Sequence, residues 1–187
     1  MRLVLIADTH LPKRAKVLPA PLWSDIEAAD VVVHAGDWVD VALLDELTAR
    51  AQQVIGVVGN NDGPQLRARL PEVAIADLRG VRIAVVHETG PAKGREVRMD
   101  EAFAGQADVV VFGHSHIPWD TTTPGGLRLL NPGSPTDRRR QPACTHMTAT
   151  IADGQLHEVR LVRLPQRRTV RRTQDPRPQA GQRSQEP

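Results

Sequence analysis

The stretch DVVVFGHSH at residues 108–116 decides the fold, because an apolar run that is typical of a buried strand ends there in two histidines. The run is continuous rather than alternating, which indicates that both faces of the strand are covered. Four earlier segments share this pattern. They are RLVLIAD at 2–8, ADVVVHAGD at 29–37, QVIGVVGNND at 53–62 and VRIAVVHE at 81–88.

The segments between these runs have the apolar spacing of helices. They are LWSDIEAA at 22–29, VALLDELTARA at 41–51, GPQLRARL at 63–70 and REVRMDEAFAGQA at 95–107. Alternation of strands and helices predicts parallel strands with crossover helices. From Trp119 onward, strand-like segments joined by GG, NPGSP and DG predict antiparallel strands without a long helix. We therefore expect an α/β half and a β-rich half, packed as two sheets with helices outside.

Length and charge predict one domain and a tail. The 187 residues fit a single domain at 1–164. Residues 165–187 are rich in Arg, Gln and Pro and poor in large apolar side chains, which predicts a disordered basic tail. The tail carries a net charge of +4 and the domain −2, so bulk charge argues against nucleic-acid binding by the domain and leaves it open only for the tail.

The single Cys144 excludes an intrachain disulfide and a Cys-rich zinc cluster, and favours a reducing compartment. The apolar stretch LVLIA at 3–7 is too short for a signal peptide or a membrane span. We therefore expect a soluble cytoplasmic protein with no membrane partner. The sequence leaves formation of a homo-oligomer open.

Polar side chains gather where the predicted strands end, and the carboxyl ends of parallel strands are where ligands bind in α/β sheets. The residues that follow or end the strands are Asp8, His10, Asp37, Asn60, His87, His114 and His116. Residues two apart in an extended segment share a face. Asp8 with His10, and His114 with His116, are therefore expected to point the same way.

Each of these residues alone is more typical of a cap, a turn or a hydrogen-bonded strand edge than of a ligand. Seven together form a nitrogen and oxygen ligand set, which suits Mn, Fe, Ni, Co or Zn. One catalytic ion needs about three or four protein ligands, so seven are more natural for two ions that share a bridging carboxylate. Such a site attracts phosphate and lowers the pKa of a bridging water.

The ordered series D-x-H, G-D, G-N-x-D, a strand-terminal His and G-H-x-H resembles the calcineurin-like metallophosphoesterases over about residues 1–162. The short chain and the sequence NPGS at 131–134 resemble their small bacterial and archaeal phosphodiesterase branch. The resemblance implies a four-layer α/β/β/α sandwich with two mixed β-sheets flanked by helices. It also implies hydrolysis of a small phosphodiester by metal-bound hydroxide, without a covalent intermediate.

By the same resemblance, one ion would be held by Asp8, His10 and His116 and the other by Asn60, His87 and His114, with Asp37 as the bridge. Two divalent ions are implied, with Mn favoured and Fe, Ni, Co or Zn as alternatives. The catalytic group would comprise Asn61, Asp37 and His114.

Two positions depart from the family pattern. Asn61 stands where many members have a His, and an amide cannot act as a general acid at neutral pH. This predicts a preference for phosphodiesters or aryl esters and weak hydrolysis of alkyl monoesters. Glu88 stands where Gly is common, so it either forms a different turn or adds a carboxylate near the second ion. Asp62 is expected to cap the helix near Pro64 rather than to hold Asn61.

The main alternative function is a non-catalytic, metal-binding interaction scaffold of the same fold, like the retromer subunit. Retention of all seven candidate ligands favours the enzyme. Among the other polar residues, His34 is predicted to be structural, and His146 and His157 are predicted to lie at the surface or at a strand edge. Trp23 and Trp38 are assigned to the core or its rim. The run of arginines at 138–140 is expected to be solvated, with contact to a substrate phosphate as the alternative.

Overall fold

The computed structural model describes residues 1–165, and the predicted disordered tail lies outside them except for Pro165. Ten strands and four helices make up this part of the chain. The strands are β1 (Arg2–Ile6), β2 (Val31–His34), β3 (Val54–Gly56), β4 (Val73–Leu78), β5 (Val81–Val86), β6 (Val109–Val111), β7 (Trp119–Thr122), β8 (Arg128–Asn131), β9 (Thr145–Ala152) and β10 (Gln155–Arg163). The helices are α1 (Ala20–Glu27), α2 (Val41–Arg50), α3 (Pro64–Arg67) and α4 (Arg95–Phe103).

The strands form two mixed five-stranded sheets. The first has the order β10-β9-β1-β2-β3. In it β1, β2 and β3 are parallel, β9 pairs antiparallel with β1, and β10 pairs antiparallel with β9. The second has the order β4-β5-β6-β8-β7, in which β5, β6 and β8 are parallel. The carboxyl ends of β1, β2, β3, β5 and β6 therefore provide the loops that carry the candidate site.

The sheets pack face to face, and helices cover their outer faces. Apolar side chains such as Leu5 and Val33 of the first sheet meet Val85 and Val111 of the second in the central core. Helices α1 and α2 cover the outer face of the first sheet, and α4 covers that of the second. This confirms the predicted α/β/β/α sandwich. Strands β1, β2, β5 and β6 have continuous apolar runs because they are buried on both faces.

The late strands differ from the prediction. They do not form a separate β-rich half: β9 and β10 extend the first sheet, whereas β7 and β8 extend the second. Strand β4 was not predicted. It is an edge strand with alternating exposure, antiparallel to β5 across the tight turn at Arg79 and Gly80, and Asp77 within it weakens the strand pattern in the sequence.

The buried polar residues include one that contradicts the sequence prediction. His146 is fully buried, and its Nε2 lies 2.9 Å from Asp25 Oδ2 of α1. The surface assignment was wrong because β9 is an interior strand covered by α1. His34 is buried and stacked on Trp38, at 3.5 Å between ring centroids, in the structural role predicted for it. Within residues 1–165, no helix is both long and apolar enough to cross a membrane.

Candidate metal centre

The seven predicted ligands come together at the carboxyl ends of the central strands, from five separate loops. Three groups of side chains place their ligand atoms within 4.8 Å of one another. These groups are Asp8, His10 and His116; His87, Glu88 and His114; and Asp8, Asp37 and His87. Asp8 and His87 each belong to two of the groups, so the three groups form one continuous site.

The first cluster joins the β1 loop to the loop after β6. His10 Nε2 lies 3.1 Å from His116 Nε2, and Asp8 Oδ1 lies 3.6 Å from the same atom of His116. His116 Nδ1 is 2.7 Å from the carbonyl oxygen of Asp137, which can only accept a hydrogen bond. The proton therefore sits on Nδ1, and the lone pair of Nε2 faces the cluster, which is the tautomer that a metal ligand needs.

The second cluster is arranged around the side-chain oxygen of Asn60. Asn60 Oδ1 lies 3.0 Å from His87 Nε2 and 3.1 Å from His114 Nδ1. His87 Nδ1 donates to the carbonyl oxygen of Ala35 at 2.8 Å. Burial opposes a charge on His87, but the hydrogen bond to Asp37 outweighs it and raises the pKa of His87, so a cation bound at Nε2 would take the place of a proton there. Glu88 adds a carboxylate, with Oε1 at 3.5 Å from His114 Nδ1. Of the two alternatives for Glu88, the structure therefore supports the added carboxylate.

Asp37 lies between the two clusters. Its Oδ2 is 3.6 Å from His10 Nε2 and 3.5 Å from His87 Nε2. Asn61 donates to the same carboxylate twice, from its backbone N to Oδ1 at 2.8 Å and from Nδ2 to Oδ2 at 2.6 Å. Burial alone would raise the pKa of Asp37, but the bonds from His87 and Asn61 outweigh it and hold the pKa well below its usual value. Asp37 is therefore an anion at neutral pH.

The electrostatics of the site fit cations. Burial raises the pKa of Asp8 to about 7, and its Oδ2 is buried without a hydrogen-bond partner among the described residues. Burial also lowers the pKa of His116 to about 4, so its ring is neutral and able to coordinate. A buried carboxylate oxygen without a donor is costly. A divalent cation beside Asp8 would remove this cost, and carboxylate, amide and imidazole groups are suitable ligands for it.

The backbone at the site is not extended, which corrects the shared-face prediction. Five of the seven predicted ligands have φ between 44° and 70°, in the left-handed region. They are Asp8, His10, Asp37, His114 and His116. The strands end before these residues, and each loop turns sharply to aim its side chain inward. Asp and His tolerate this region better than most residues do. The histidines of GHSH therefore converge through bent loops and not through strand periodicity.

Several residues that support the site were missed or misassigned from the sequence. Asp62 does not cap α3, whose N-cap is Gly63 without a side-chain bond. Its carboxylate accepts the backbone N–H groups of Asp37, Val39 and Gly59 at 2.7 to 3.1 Å, and so ties the β2 loop to the β3 loop. No sequence pattern distinguishes this role from a helix cap.

The NPGS turn holds the loops after β1 and β6 in place. Ser134 Oγ donates to the carbonyl oxygen of Asp8 at 2.7 Å, and Asn131 Nδ2 donates to that of Gly113 at 2.8 Å. Asp137 acts through its backbone carbonyl, as described for His116, and a backbone acceptor leaves no signal in the sequence. The NPGS sequence itself was the available signal for this support.

The comparisons with known proteins agree with this geometry. Residues 1–154 match the Calcineurin-like phosphoesterase superfamily domain. The chain belongs to this superfamily. A probable metallophosphoesterase of Methanocaldococcus jannaschii is 34% identical over 139 residues, which cover 73% of this chain and 69% of the relative. A phosphodiesterase of the same organism is 23% identical over 129 residues, or 62% of this chain and 74% of the relative.

A solved structure of the same fold is also similar to the chain. The solution structure of a Thermotoga maritima protein has 30% sequence identity and a TM-score of 0.70, and the match covers 87% of this chain and 99% of that one. The chain is therefore a member of the metallophosphoesterase family, and this family binds divalent metals. The two clusters contain the carboxylate and imidazole groups that could hold a divalent ion.

Close packing around Asp37 predicts that Gly59→Ala damages the site. A Cβ at Gly59 would overlap Asp37 Oδ1 and its backbone N, whereas a Cβ at Gly63 would have no atom within 4 Å. We expect Gly59→Ala to lower the free energy of unfolding by about 1–3 kcal/mol and to weaken metal binding. Gly63→Ala should stay within about 0.5 kcal/mol of the parent. Urea denaturation and metal titration measure both; equal effects of the two variants would contradict this packing argument.

The raised pKa of Asp8 predicts that metal binding releases protons. In the metal-free protein, Asp8 is largely protonated below its pKa of about 7, and a bound cation favours the carboxylate. Calorimetric titration with Mn²⁺ at pH 6.5, in buffers of different ionisation enthalpy, should therefore show proton release and weaker apparent affinity than at pH 8. At pH 8 the release should be smaller. Equal release at both pH values would show that Asp8 is already ionised at pH 6.5.

Proposed function

We propose that this metallophosphoesterase hydrolyses small phosphodiesters with two divalent ions bound at the site. The observation that carries the proposal is the position of Asp37, whose Oδ2 lies within 3.6 Å of imidazole nitrogens from both clusters. A carboxylate between two sets of nitrogen ligands is the arrangement expected of a bridge between two ions. The similarity to a relative named as a phosphodiesterase supports the choice of reaction.

The proposed ligand sets follow the two clusters. Asp8, His10 and His116 would hold one ion, and Asn60, His87 and His114 the other, with Asp37 shared. Glu88 would supply a further carboxylate to the second set, since its Oε1 lies beside His114. We favour Mn, with Fe, Ni, Co or Zn as alternatives, because imidazole and carboxylate ligands suit each of them.

When bound, the ions would supply activated water and neutralise charge on the phosphoryl oxygens. The chain itself supplies orientation. The bonds from His87 to Ala35 and from His116 to Asp137 fix each ring, and pre-positioned groups of this kind lower the cost of reaching the transition state. Asn61, next to the bridge, would donate an N–H to a phosphoryl oxygen or to the leaving oxygen.

Asn61 also limits the substrate. An amide donates a hydrogen bond but transfers no proton at neutral pH, so the leaving oxygen departs without help from a general acid at this position. Phosphodiesters with good leaving groups tolerate this, and alkyl monoesters do not. The proposed preference for diesters therefore rests on one side chain that already contacts the bridging carboxylate at 2.6 Å.

Reconstitution with metal tests the proposed function directly. We expect Mn²⁺ to support hydrolysis of bis(p-nitrophenyl) phosphate and chelation to abolish it, with about two ions bound per chain by elemental analysis. Asp37→Ala should lower kcat by at least about 100-fold, since the shared ligand is lost. The matched control is Asp45→Ala, an exposed carboxylate of α2 that pairs with Arg69. A metal-loaded protein that is inactive on every diester would favour the scaffold alternative.

Asn61→His should restore a general acid. We expect the ratio of kcat/KM for an alkyl phosphomonoester to that for the diester to rise by about tenfold or more, with the larger gain for the poorer leaving group, because general acid catalysis contributes about 10²–10⁴-fold. Asn61→Gln, which keeps the amide, is the control and should not raise the ratio. A parent enzyme that already prefers alkyl monoesters would disprove the proposed role of Asn61.

A further inference from the structure

A cavity of about 480 Å³ borders the metal centre on the side of the first cluster. Its polar wall comes from Arg14 and from residues 136–139 of the loop after the NPGS turn. Asp137 connects the cavity to the centre, since it lines the cavity while its carbonyl accepts the proton of His116 at 2.7 Å. The cavity is therefore adjacent to the residue that fixes the His116 ring. We call it the arginine pocket.

Positive charge dominates the arginine pocket. Arg14, Arg138 and Arg139 line it, and Asp137 is the one carboxylate among its lining residues. Arg14 uses Nε to approach Asp137 Oδ2 at 3.2 Å. A guanidinium has five N–H donors, so most donors of Arg14 are not engaged by this ion pair. Guanidinium groups suit phosphate because they bind it through two parallel hydrogen bonds.

Arg139 brings this charge close to the centre. Its terminal nitrogen lies 3.5 Å from the carbonyl oxygen of His114. The guanidinium of Arg139 therefore lies beside the loop that carries His114 and His116, although its side chain is exposed.

The other wall of the pocket is apolar. It is lined by Ala15, Pro135, Leu164 and the half-buried Cys144. A volume of about 480 Å³ lies within the range of pockets for small organic ligands, which is about 300–1,000 Å³. The pocket can therefore hold an organic group against the apolar wall and an anionic group against the arginines.

The opposite side of the centre has a different charge. A second cavity of about 390 Å³ lies beside His87 and Asn60, and its charged lining residues are Arg67, Glu72 and Glu88. Two carboxylates and one guanidinium do not attract an anion. An additional phosphate group of a substrate bound at the centre is therefore favoured on the side of the first cluster.

We propose that the arginine pocket binds a second phosphate group of the substrate, so that the preferred substrates are phosphodiesters that carry a further phosphate, such as a 5′-phosphorylated dinucleotide. This inference rests on the proposed phosphodiesterase function and specifies its substrate class. The scissile phosphate binds at the two clusters. The further phosphate contacts Arg14 and Arg138, and the organic group that joins the two phosphates covers the apolar wall.

The test compares two substrates that differ only in the further phosphate. The Mn²⁺-loaded full chain is assayed with the thymidine dinucleotide and with its 5′-phosphorylated form. We expect kcat/KM to be about tenfold or more higher for the phosphorylated form, mainly through a lower KM. Arg14→Ala and Arg138→Ala should each reduce this ratio at least about threefold. Arg160→Ala is the matched control, because Arg160 is an exposed arginine of β10 that pairs with Glu158, and it should leave the ratio unchanged.

The outcomes separate the two proposals. Equal kcat/KM for both dinucleotides, in a protein that hydrolyses bis(p-nitrophenyl) phosphate, would overturn the phosphate pocket and leave the phosphodiesterase function standing. A ratio that survives both arginine substitutions would also overturn it. If no diester is hydrolysed, the proposed function fails, and calorimetric binding of the two dinucleotides to the metal-loaded chain decides the pocket alone. Equal affinities for the two dinucleotides would then exclude the phosphate pocket. Tighter binding of the phosphorylated dinucleotide that is lost in Arg14→Ala would support the pocket.

Discussion

A carboxylate held between two groups of imidazoles is the interaction on which the rest of the site depends. Asp37 reaches His10 on one side and His87 on the other through a single oxygen, Oδ2. Burial alone would favour the neutral acid, yet its neighbours keep it ionised. Its charge is the shared counter-charge for any cation bound at either cluster. The surrounding loops are arranged so that this group is neither displaced nor neutralised.

This arrangement has a conformational cost that the fold must offset. Five of the seven proposed ligands have left-handed backbone conformations, each unfavourable by about 1–2 kcal/mol outside glycine. Such residues persist where the surrounding structure over-determines them. Here Asp62 fixes the backbone of Asp37, and Ser134 and Asn131 fix the loops after β1 and β6. The core between the two sheets holds the strands from which those loops leave.

The sequence predicted those parts of the molecule that depend on local patterns. Apolar runs identified β1, β2, β3, β5 and β6, because strands inside a two-sheet sandwich need apolar side chains on their buried faces. Polar residues after those runs identified the ligands, because strand ends in an α/β sheet share one edge. The exposed edge strand β4 lacks that apolar continuity and was missed. The roles of Asp62 and His146 depend on backbone groups and helices that are distant in sequence, so no local pattern encodes them.

The proposed direction of substrate approach depends on the charges around the site. Cations bound at the clusters would make the centre positive, and among the described residues the arginine pocket extends that potential toward solvent. Glu72 and Glu88 reduce it on the other side. In the proposed function, an anionic ester would therefore approach along the arginines and meet the first cluster before the second. Asn61, which donates to Asp37, would hold a phosphoryl oxygen but could not protonate a leaving group. Charge at the rim would then set the orientation of the ester, and the absence of an acid at residue 61 would set which esters react.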